Sequence, residues 1–215
     1  MNTHILSIPF ALVTLTSSAW SAILIDPTTL NGSFELPSTS KIADGFDGAI
    51  NIPSWGNTGG AYTDTGIETG ISSGQDGAQR AFFKNTDGGA FNLTSYVMQA
   101  GDSLTLTFSA LRFNSGDNFT AKLFSSTDAT YATNATLNSL IYAPVSQGTF
   151  EGFTLNYTAV AADAGKTIGV SFDNESAIGN SYAGLDNVVL TVVPEPSTMG
   201  LAALATGLIG LRRRR

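Results

Sequence analysis

Few side chains in this sequence of 215 residues could carry acid–base or nucleophilic chemistry. There is no Cys and only one His, His4, which lies in a segment that we interpret below as an export signal. The rest of the chain therefore excludes a Ser-His-Asp triad, a Cys–His pair, a zinc finger and an iron–sulfur site, all of which need His or Cys. The chemistry that remains is that of carboxylates, either acid–base catalysis or calcium ligation, together with the recognition of neutral surfaces.

The distribution of charge narrows the class of partner. The formal net charge is −7, from seventeen acidic and ten basic residues. Residues 23–193 hold sixteen acidic and six basic residues, a net charge of −10, because four of the basic residues end the chain. Binding to a phosphate backbone needs clustered Lys and Arg, so we expect no nucleic-acid partner.

Carboxylates alone can hydrolyse glycosides when two of them flank the bond at about 5–5.5 Å or 6.5–9.5 Å. No motif singles out such a pair among the sixteen acidic residues of the central part. The sequence therefore predicts a protein that is not an enzyme, and a carboxylate-based glycan-active enzyme is the alternative.

Aromatic side chains are the candidate carbohydrate-binding residues, since exposed rings can stack on the C–H faces of sugars. Once Trp20 is cleaved off, Trp55 is the only tryptophan, and it is either such a platform or a core residue closing one end of the fold. Four tyrosines lie in polar, glycine-rich or turn-like surroundings and are predicted to be exposed: Tyr62, Tyr131, Tyr142 and Tyr182. Arg80 and Arg112 have apolar neighbours and are expected to be ion-paired or snorkelling strand residues rather than ligand clamps.

The N-terminus has the pattern of a secretory signal peptide. The apolar stretch from Ile5 to Leu15 is followed by small residues. Cleavage near Ala19 places Ser17 at position −3, and cleavage near Ala22 is the alternative. We therefore assign residues 1–22 to an export signal. A buried strand or helix is the other interpretation of this stretch.

The C-terminus has three parts in a fixed order. Pro194, Glu195 and Pro196 stop any strand or helix. The thirteen apolar residues from Met199 to Leu211 follow, and as a helix they would be about 20 Å long, against roughly 30 Å of bilayer hydrocarbon. The chain ends in Arg212, Arg213, Arg214 and Arg215. Such arginines stay on the cytoplasmic side, so a short membrane span here would leave the rest of the protein outside.

Residues 193–215 closely resemble the PEP-CTERM sorting signal, which has the same triplet, short apolar helix and arginine terminus. The resemblance implies that an exosortase-type membrane enzyme recognises and cuts the tail in a Gram-negative bacterium that exports polysaccharide. The protein would be held transiently in the inner membrane by its C-terminal helix and then released to, or attached at, the cell surface. An ordinary tail anchor is the alternative.

Residues 23–192 show the period-2 alternation of β-strands. In 104–109 and 153–158 apolar residues alternate with Thr, Ser and Asn, and shorter alternating runs occur at 119–123, 168–172 and 188–192. Gly and Asp turn signals separate these runs, and no helical periodicity persists for three turns. The sequence predicts an all-β fold, a single antiparallel β-sandwich of the jelly-roll type. Residues 38–77 lack alternation and are expected to form long loops.

Four short segments resemble galactose-binding-like jelly rolls, a fold that several families of carbohydrate-binding modules share. The segments are Asn31-Gly32-Ser33-Phe34-Glu35, Ile52-Pro53-Ser54-Trp55, Asp76-Gly77-Ala78-Gln79 and Gly184-Leu185-Asp186-Asn187-Val188. The resemblance implies that the first and last strands pair and that Glu35 and Asp186 share a structural Ca²⁺. Ca²⁺ needs six to eight hard oxygen ligands, and two carboxylates with loop carbonyls supply such oxygens. The alternative is that Glu35 is solvated and that Asp186 accepts hydrogen bonds from nearby N–H groups.

Taken together, these features predict an exported, surface-sorted, non-enzymatic β-sandwich that associates with extracellular polysaccharide in a biofilm matrix. A purely structural cell-surface protein without a glycan ligand is the main alternative.

Overall fold

The computed structural model describes most of the central part of the chain. The described residues are 20–38, 52–58, 65–69, 76–84, 88–112, 119–143, 147–174 and 182–195. Residues 21–195 form one compact unit, and the two termini form a separate unit of which only Trp20 is described. The expected signal peptide up to Ala19, the apolar tail segment and the four terminal arginines lie outside the described residues. Within the described residues, no helix is long and apolar enough to cross a membrane.

Eleven strands make up the described part of the fold. They are β1 Ala22–Ile25, β2 Gly56–Asn57, β3 Thr65–Thr69, β4 Gln79–Lys84, β5 Gly89–Val97, β6 Ser103–Arg112, β7 Phe119–Ser126, β8 Asn134–Tyr142, β9 Glu151–Thr158, β10 Thr167–Asn174 and β11 Tyr182–Val193. The helical structure in the described ranges consists of three short 3-10 turns, Thr29–Asn31, Tyr131–Thr133 and Ala161–Asp163.

The strands form two antiparallel sheets. Sheet A has the order β3-β4-β11-β6-β9, with β1 also paired to β11, and sheet B has the order β2-β5-β10-β7-β8. The β1–β11 pair, in which Ala22 lies opposite Val192, confirms that the first and last strands are neighbours. The predicted all-β sandwich is therefore confirmed.

Alternation along the strands builds the core between the sheets. In β6, Leu104, Leu106 and Phe108 are at most 2% exposed, because they face sheet B. The intervening hydroxyl residues of β6 face outward and are partly exposed. Phe108 meets Phe172 of β10 edge-on, with ring centroids 5.0 Å apart, so the two inner faces are in contact.

The expectation of loops throughout 38–77 is wrong in two places, since β2 and β3 lie in this region. In β3 the first four residues are buried although Ile67 is the only large apolar one among them. Glu68 is buried because its carboxylate pairs at 2.8 Å with Arg80 of β4, and both side chains are 2% exposed. A strand stabilised in this way has no alternating apolar pattern to detect. The pair confirms the expectation that Arg80 is an ion-paired strand residue.

Candidate functional site

The outer face of sheet B carries a cluster of polar side chains on its two central strands. In the register of β7 and β10, Lys122 lies opposite Ser171, and Thr120 lies opposite Asp173. Directly opposite residues of an antiparallel pair project from the same face. The intervening Phe172 belongs to the core, so these four side chains face away from it. We call Thr120, Lys122, Tyr131, Ser171 and Asp173 the β7–β10 site.

An ion pair crosses the β7–β10 site. The ammonium of Lys122 lies 3.1 Å from Oδ2 of Asp173, and the two side chains are 28% and 18% exposed. Each charge is thus neutralised by the other while both polar ends remain accessible. The site can therefore offer a hydrogen-bond donor and an acceptor to a ligand without a net charge.

Two buried hydroxyls flank this ion pair. Thr120 is 5% exposed and Ser171 is 1% exposed, and neither hydroxyl makes a hydrogen bond of good geometry with any other residue of the described ranges. Buried polar atoms in native proteins are nearly always hydrogen-bonded, because an unmade bond costs about 1–3 kcal/mol. Two such hydroxyls on adjacent strands leave hydrogen-bonding capacity beside the ion pair that the described residues do not use.

Tyr131 closes one side of the β7–β10 site. Its ring stacks on Phe91 of β5 with centroids 4.2 Å apart and meets Phe124 of β7 edge-on at 5.3 Å. Burial raises the pKa of the half-buried Tyr131 phenol, and the negative charge of Asp173 adds to the rise, while the nearby Ser171 hydroxyl moderates it. The phenol therefore stays protonated at neutral pH and can donate a hydrogen bond.

The aromatic cluster depends on glycines in the strands beneath it. A Cβ at Gly169, opposite Phe124 in β10, would lie 2.3 Å from the Phe124 ring, and a Cβ at Gly56 would lie 2.3 Å from the Phe91 ring. These two positions leave the space into which the rings pack against the sheet. Because Tyr131 packs on the rings of Phe91 and Phe124, the two glycines also set its distance from the outer face.

Asp128 holds the loop that carries Tyr131. Its carboxylate accepts hydrogen bonds from the hydroxyls of Ser126, Thr130 and Thr133 and from the Thr130 N–H. The Thr133 and Thr130 hydroxyls are the main cause of a pKa of about 2 for Asp128. The turn is therefore held by an ionised carboxylate at any pH near neutrality.

The structure separates the predicted aromatic residues into different environments. Tyr131 lies at the β7–β10 site, and Tyr182 of β11 stacks on Phe82, with centroids 5.4 Å apart, on sheet A. Tyr142 is 2% exposed, because it faces the core from β8 and packs against Phe108. The expectation that Tyr142 is an exposed platform is therefore wrong. Tyr62 lies outside the described residues.

Trp55 is a core residue and not a surface platform. It is 4% exposed, and its ring lies 4.8 Å from that of Phe34. The indole N–H donates to the Asn31 carbonyl at 3.1 Å, which satisfies the one polar atom of the side chain. Of the two interpretations of Trp55, the structure supports the core residue.

The polar members of the β7–β10 site were not found from the sequence. Lys122 could be recognised as an outward-facing residue between Ala121 and Leu123. Its partner Asp173 is 51 residues away, and nothing in either strand indicates that β7 and β10 are adjacent. The available signal was that polar residues alternate with core residues in both strands.

A second polar cluster lies where the first and last strands meet. Asp186 of β11 is fully buried, and its two carboxylate oxygens accept the N–H groups of Asp76 and Asn187, each at 2.7 Å. Burial raises the pKa of Asp186 to about 7, those two N–H bonds oppose the rise, and the charges of Asp76 and Glu35 add to it. The expected hydrogen bonds from N–H groups to Asp186 are thus present.

Glu35 reaches the same segment of chain. Its Oε1 accepts the N–H groups of Ala78 and Gln79 at 2.9 and 2.8 Å. Gly77 has a φ of +69°, and a Cβ there would lie 2.4 Å from this oxygen. The segment beginning at Asp76 therefore connects the two carboxylates that the sequence resemblance brings together. In the described ranges, no group of three or more His, Cys, Asp or Glu residues has the arrangement of a ready metal site.

Comparison with known proteins supports the class that the fold and the tail define, a β-sandwich with a C-terminal sorting signal. Residues 192–215 match the PEP-CTERM protein-sorting motif, which confirms the interpretation of the tail and implies export and surface sorting in bacteria. No curated protein matches the sequence.

Several solved structures are similar in fold to the body. An apo-form cyclase from Fischerella sp. has a TM-score of 0.61 and 17% identity, covering 84% of this chain and 100% of that one. A Stig cyclase from Fischerella sp. TAU, in complex with a pyrrolidinylidene-indole, has a TM-score of 0.58 and 15% identity, covering 82% and 100%. A tandem of two CBM22 domains from Paenibacillus barcinonensis has a TM-score of 0.50 and 14% identity, covering 79% of this chain and 50% of that one. At these identities the likeness is one of fold.

Proposed function

We propose that this protein is an exported, surface-sorted β-sandwich that binds a neutral polysaccharide of the extracellular matrix through the β7–β10 site. The sorting motif at residues 192–215 supports a surface location. The proposal includes a Gram-negative host and an exosortase-type enzyme that cuts the tail after transient anchoring in the inner membrane. A fold shared with CBM22 domains is compatible with glycan binding.

The observation that carries the proposal is the pair of buried hydroxyls beside a neutralised ion pair. Thr120 and Ser171 each present a hydroxyl that can donate or accept, between the Lys122 ammonium and the Asp173 carboxylate. A sugar has many hydroxyls that also donate and accept, so it can bond to the accessible ends of Lys122 and Asp173, while bonding to the buried Thr120 and Ser171 hydroxyls requires the side chains that cover them to move. An acidic or basic ligand would compete with the internal ion pair and would gain less.

Substitution of the buried hydroxyls tests the proposal. Thr120→Val and Ser171→Ala remove one hydroxyl each with little change of shape, whereas Thr158→Val removes a hydroxyl from the outer face of sheet A. Loss of one hydrogen bond of about 1 kcal/mol should weaken retention on neutral polysaccharide about fivefold. Affinity electrophoresis of the exported protein in gels containing xylan, glucomannan or dextran gives the measurement. Equal retention of the wild type and of the Thr120→Val and Ser171→Ala double variant would contradict the proposal.

The proposal is for a binding protein and not for an enzyme. The described part of the β7–β10 site contains one carboxylate, Asp173, whereas glycoside hydrolysis uses two. The cyclases named above share the fold, which hosts more than one function. Release of reducing sugar from a polysaccharide that the protein retains, together with its loss in Asp173→Asn, would overturn this part of the proposal.

We also propose that the cluster of Glu35, Asp76 and Asp186 binds a structural Ca²⁺. Asp186 is fully buried, and the charges of Asp76 and Glu35 act on its carboxylate. None of the three forms an ion pair within the described ranges. The Ser33 hydroxyl, 2.6 Å from Oδ2 of Asp76, adds a further hard oxygen. A divalent cation would favour the ionised form of Asp186 and offset the mutual repulsion of the three charges.

A melting experiment tests the calcium proposal. Ca²⁺ that binds only the folded state at a hundred times its Kd adds about 2.7 kcal/mol to the free energy of unfolding. We expect a higher Tm in Ca²⁺ than in EDTA and no such difference in Glu35→Gln, which keeps an acceptor oxygen for Ala78 and Gln79 but removes the charge. A Tm that EDTA leaves unchanged in the wild type would show a metal-free hydrogen-bonded cluster.

A further inference from the structure

A depression lies on the outer face of sheet A, on the side of the sandwich opposite the β7–β10 site. Its volume is about 390 Å³. It is lined by Thr107, Phe108 and Ser109 of β6, by Gly152, Phe153 and Thr154 of β9, and by Asn187 of β11. Ligand pockets in proteins usually measure roughly 300–1,000 Å³, so this one suits one or two sugar rings. We call it the sheet A pocket.

Two local features of the backbone form the sheet A pocket. The pairing of β11 with β6 is irregular between Asp186 and Val189, and Asn187 in this bulge has a φ of +49°. Bulges re-aim side chains and are frequent next to functional sites. On the other side, Gly152 lies opposite Ser109, and a Cβ at Gly152 would meet no atom within 4 Å. The packing does not demand a glycine at this position, and its lack of a side chain keeps the pocket open.

The lining has the chemistry of a saccharide subsite. Thr107 and Thr154 lie directly opposite each other, and Ser109 is the next outward residue of β6. Within the described ranges their hydroxyls are not used in any hydrogen bond of the fold, so all three can bond to a ligand. The rings of Phe108 and Phe153, stacked with centroids 5.4 Å apart, lie on the core side of these strands, so the outward surface of the pocket is formed by the hydroxyl side chains and the backbone. Hydroxyl side chains both donate and accept hydrogen bonds, as the hydroxyls of a sugar ring do, so the two can pair in either direction.

The charge on the outer surface of sheet A around the pocket indicates the class of ligand. The outward positions of β6 and β9 around the pocket are all uncharged: Ser103, Thr105, Thr107, Ser109, Gly152, Thr154, Asn156 and Thr158. Residues 23–193 nevertheless carry a net charge of −10. Asp186 of β11 lies directly opposite Ser109 on the same face but is fully buried, so the exposed part of this surface is neutral and complements an uncharged ligand.

We propose that the sheet A pocket is a second saccharide-binding site, which takes a neutral pyranose unit of a polysaccharide. Glycan binding here does not depend on the β7–β10 site. If the proposed function also holds, the two sites lie on opposite faces of one sandwich, and each molecule can cross-link two polysaccharide chains. Bivalent attachment also increases overall retention without new contacts, as linked sites do in general.

Filling the pocket tests the inference. Gly152→Val places a side chain in open space at a position without a left-handed φ, so the fold should tolerate it. Thr154→Val removes one hydroxyl with little change of shape, and Thr158→Val is a matched control on the same face of β9 outside the pocket. In affinity electrophoresis on xylan, glucomannan and dextran, we expect Gly152→Val and Thr154→Val to weaken retention about fivefold or more and Thr158→Val to match the wild type. Melting curves check that each variant is folded.

Cross-linking provides an independent readout. Turbidity of a mixture of the protein with a retained polysaccharide should fall both in Gly152→Val and in Thr120→Val, because each variant weakens one of the two sites. If Thr120→Val abolishes retention and Gly152→Val changes nothing, the sheet A pocket is not a binding site and the proposed function stands. If Gly152→Val weakens retention and Thr120→Val does not, the pocket stands and the β7–β10 site fails. A wild type retained by none of the three neutral polysaccharides overturns both.

Discussion

Substitution of Gly32 by Ala should destabilise the protein strongly, for a reason that is purely steric. The φ and ψ of Gly32 are −65° and −19°, which any residue adopts without strain. A Cβ at this position would, however, lie 2.3 Å from the Val188 carbonyl oxygen and 2.5 Å from that of Asp26. Both atoms belong to the backbone and cannot rotate away. The segment around Gly32 must therefore move.

That movement breaks two hydrogen bonds of Gly32, one to the residue that follows β1 and one to the last strand. The Gly32 N–H donates to the Asp26 carbonyl and the Gly32 carbonyl accepts the Val188 N–H, both at 2.8 Å. An unmade hydrogen bond of a buried group costs about 1–3 kcal/mol, so we expect Gly32→Ala to lower the free energy of unfolding by roughly 3–5 kcal/mol. This is a large part of the roughly 5–15 kcal/mol that stabilises a typical domain.

Urea unfolding at neutral pH measures the effect. Gly152→Ala is the matched control, because the added Cβ meets no atom, and its free energy of unfolding should stay within about 1 kcal/mol of the wild type. The fluorescence of Trp55 reports on the same region, since its indole N–H donates to the Asn31 carbonyl. A loss below about 1 kcal/mol in Gly32→Ala, equal to that of Gly152→Ala, would refute the steric argument.

Three further predictions concern side chains away from Gly32. Arg80→Met should lower the free energy of unfolding by about 3–5 kcal/mol, because it removes the guanidinium that lies 2.8 Å from the buried Glu68 carboxylate. The added Glu68→Leu should recover most of the loss in urea unfolding. The hydrogen bond to Asp163 raises the pKa of Tyr157 to about 12, so the stability from this bond should be complete below pH 10 and be lost as the pH rises towards 12. Ultraviolet titration should show one late-titrating tyrosine fewer in Tyr157→Phe. Asp128→Ala should release the loop of Tyr131, so glycan retention should weaken in a variant whose melting curve is still that of a folded protein. Retention equal to that of the wild type would contradict the proposed role of the loop.

The strands of the sandwich centre could be predicted because burial on one face imposes alternation. The runs 104–109, 153–158, 168–172 and 188–192 lie within β6, β9, β10 and β11. β3 could not be predicted, since its burial depends on the Glu68–Arg80 pair and not on apolar residues. Tyr142 was misplaced for a related reason, because an aromatic residue at the end of a run faces either side depending on the register with its neighbour.

The candidate sites show where sequence reasoning ends on a β-sandwich. The two-residue periodicity of a β-strand indicates which residues point outward. Lys122, Thr107 and Thr154 could therefore all be placed on outer faces. What an outward residue does depends on the strand beside it. Lys122 becomes part of a neutral polar site because β10 brings Asp173 within 3.1 Å, whereas Thr107 and Thr154 border a pocket because β9 has a glycine next to them.

The same dependence explains why hydroxyl-rich strands are the informative ones here. When the outer face of a strand consists of Lys and Glu, the sequence alone indicates a solvated surface, since charged residues need only water. A strand whose outer face is Thr, Ser and Asn is compatible with solvent, with a covering loop or with a ligand. On β7 and β10 the outward hydroxyls of Thr120 and Ser171 are buried without a partner of good geometry in the described ranges, and on β6 and β9 they surround an open pocket. A solvated surface accounts for the open hydroxyls on β6 and β9 but not for the buried pair on β7 and β10, so the buried pair is the more informative sign of the proposed neutral, hydroxyl-rich ligand.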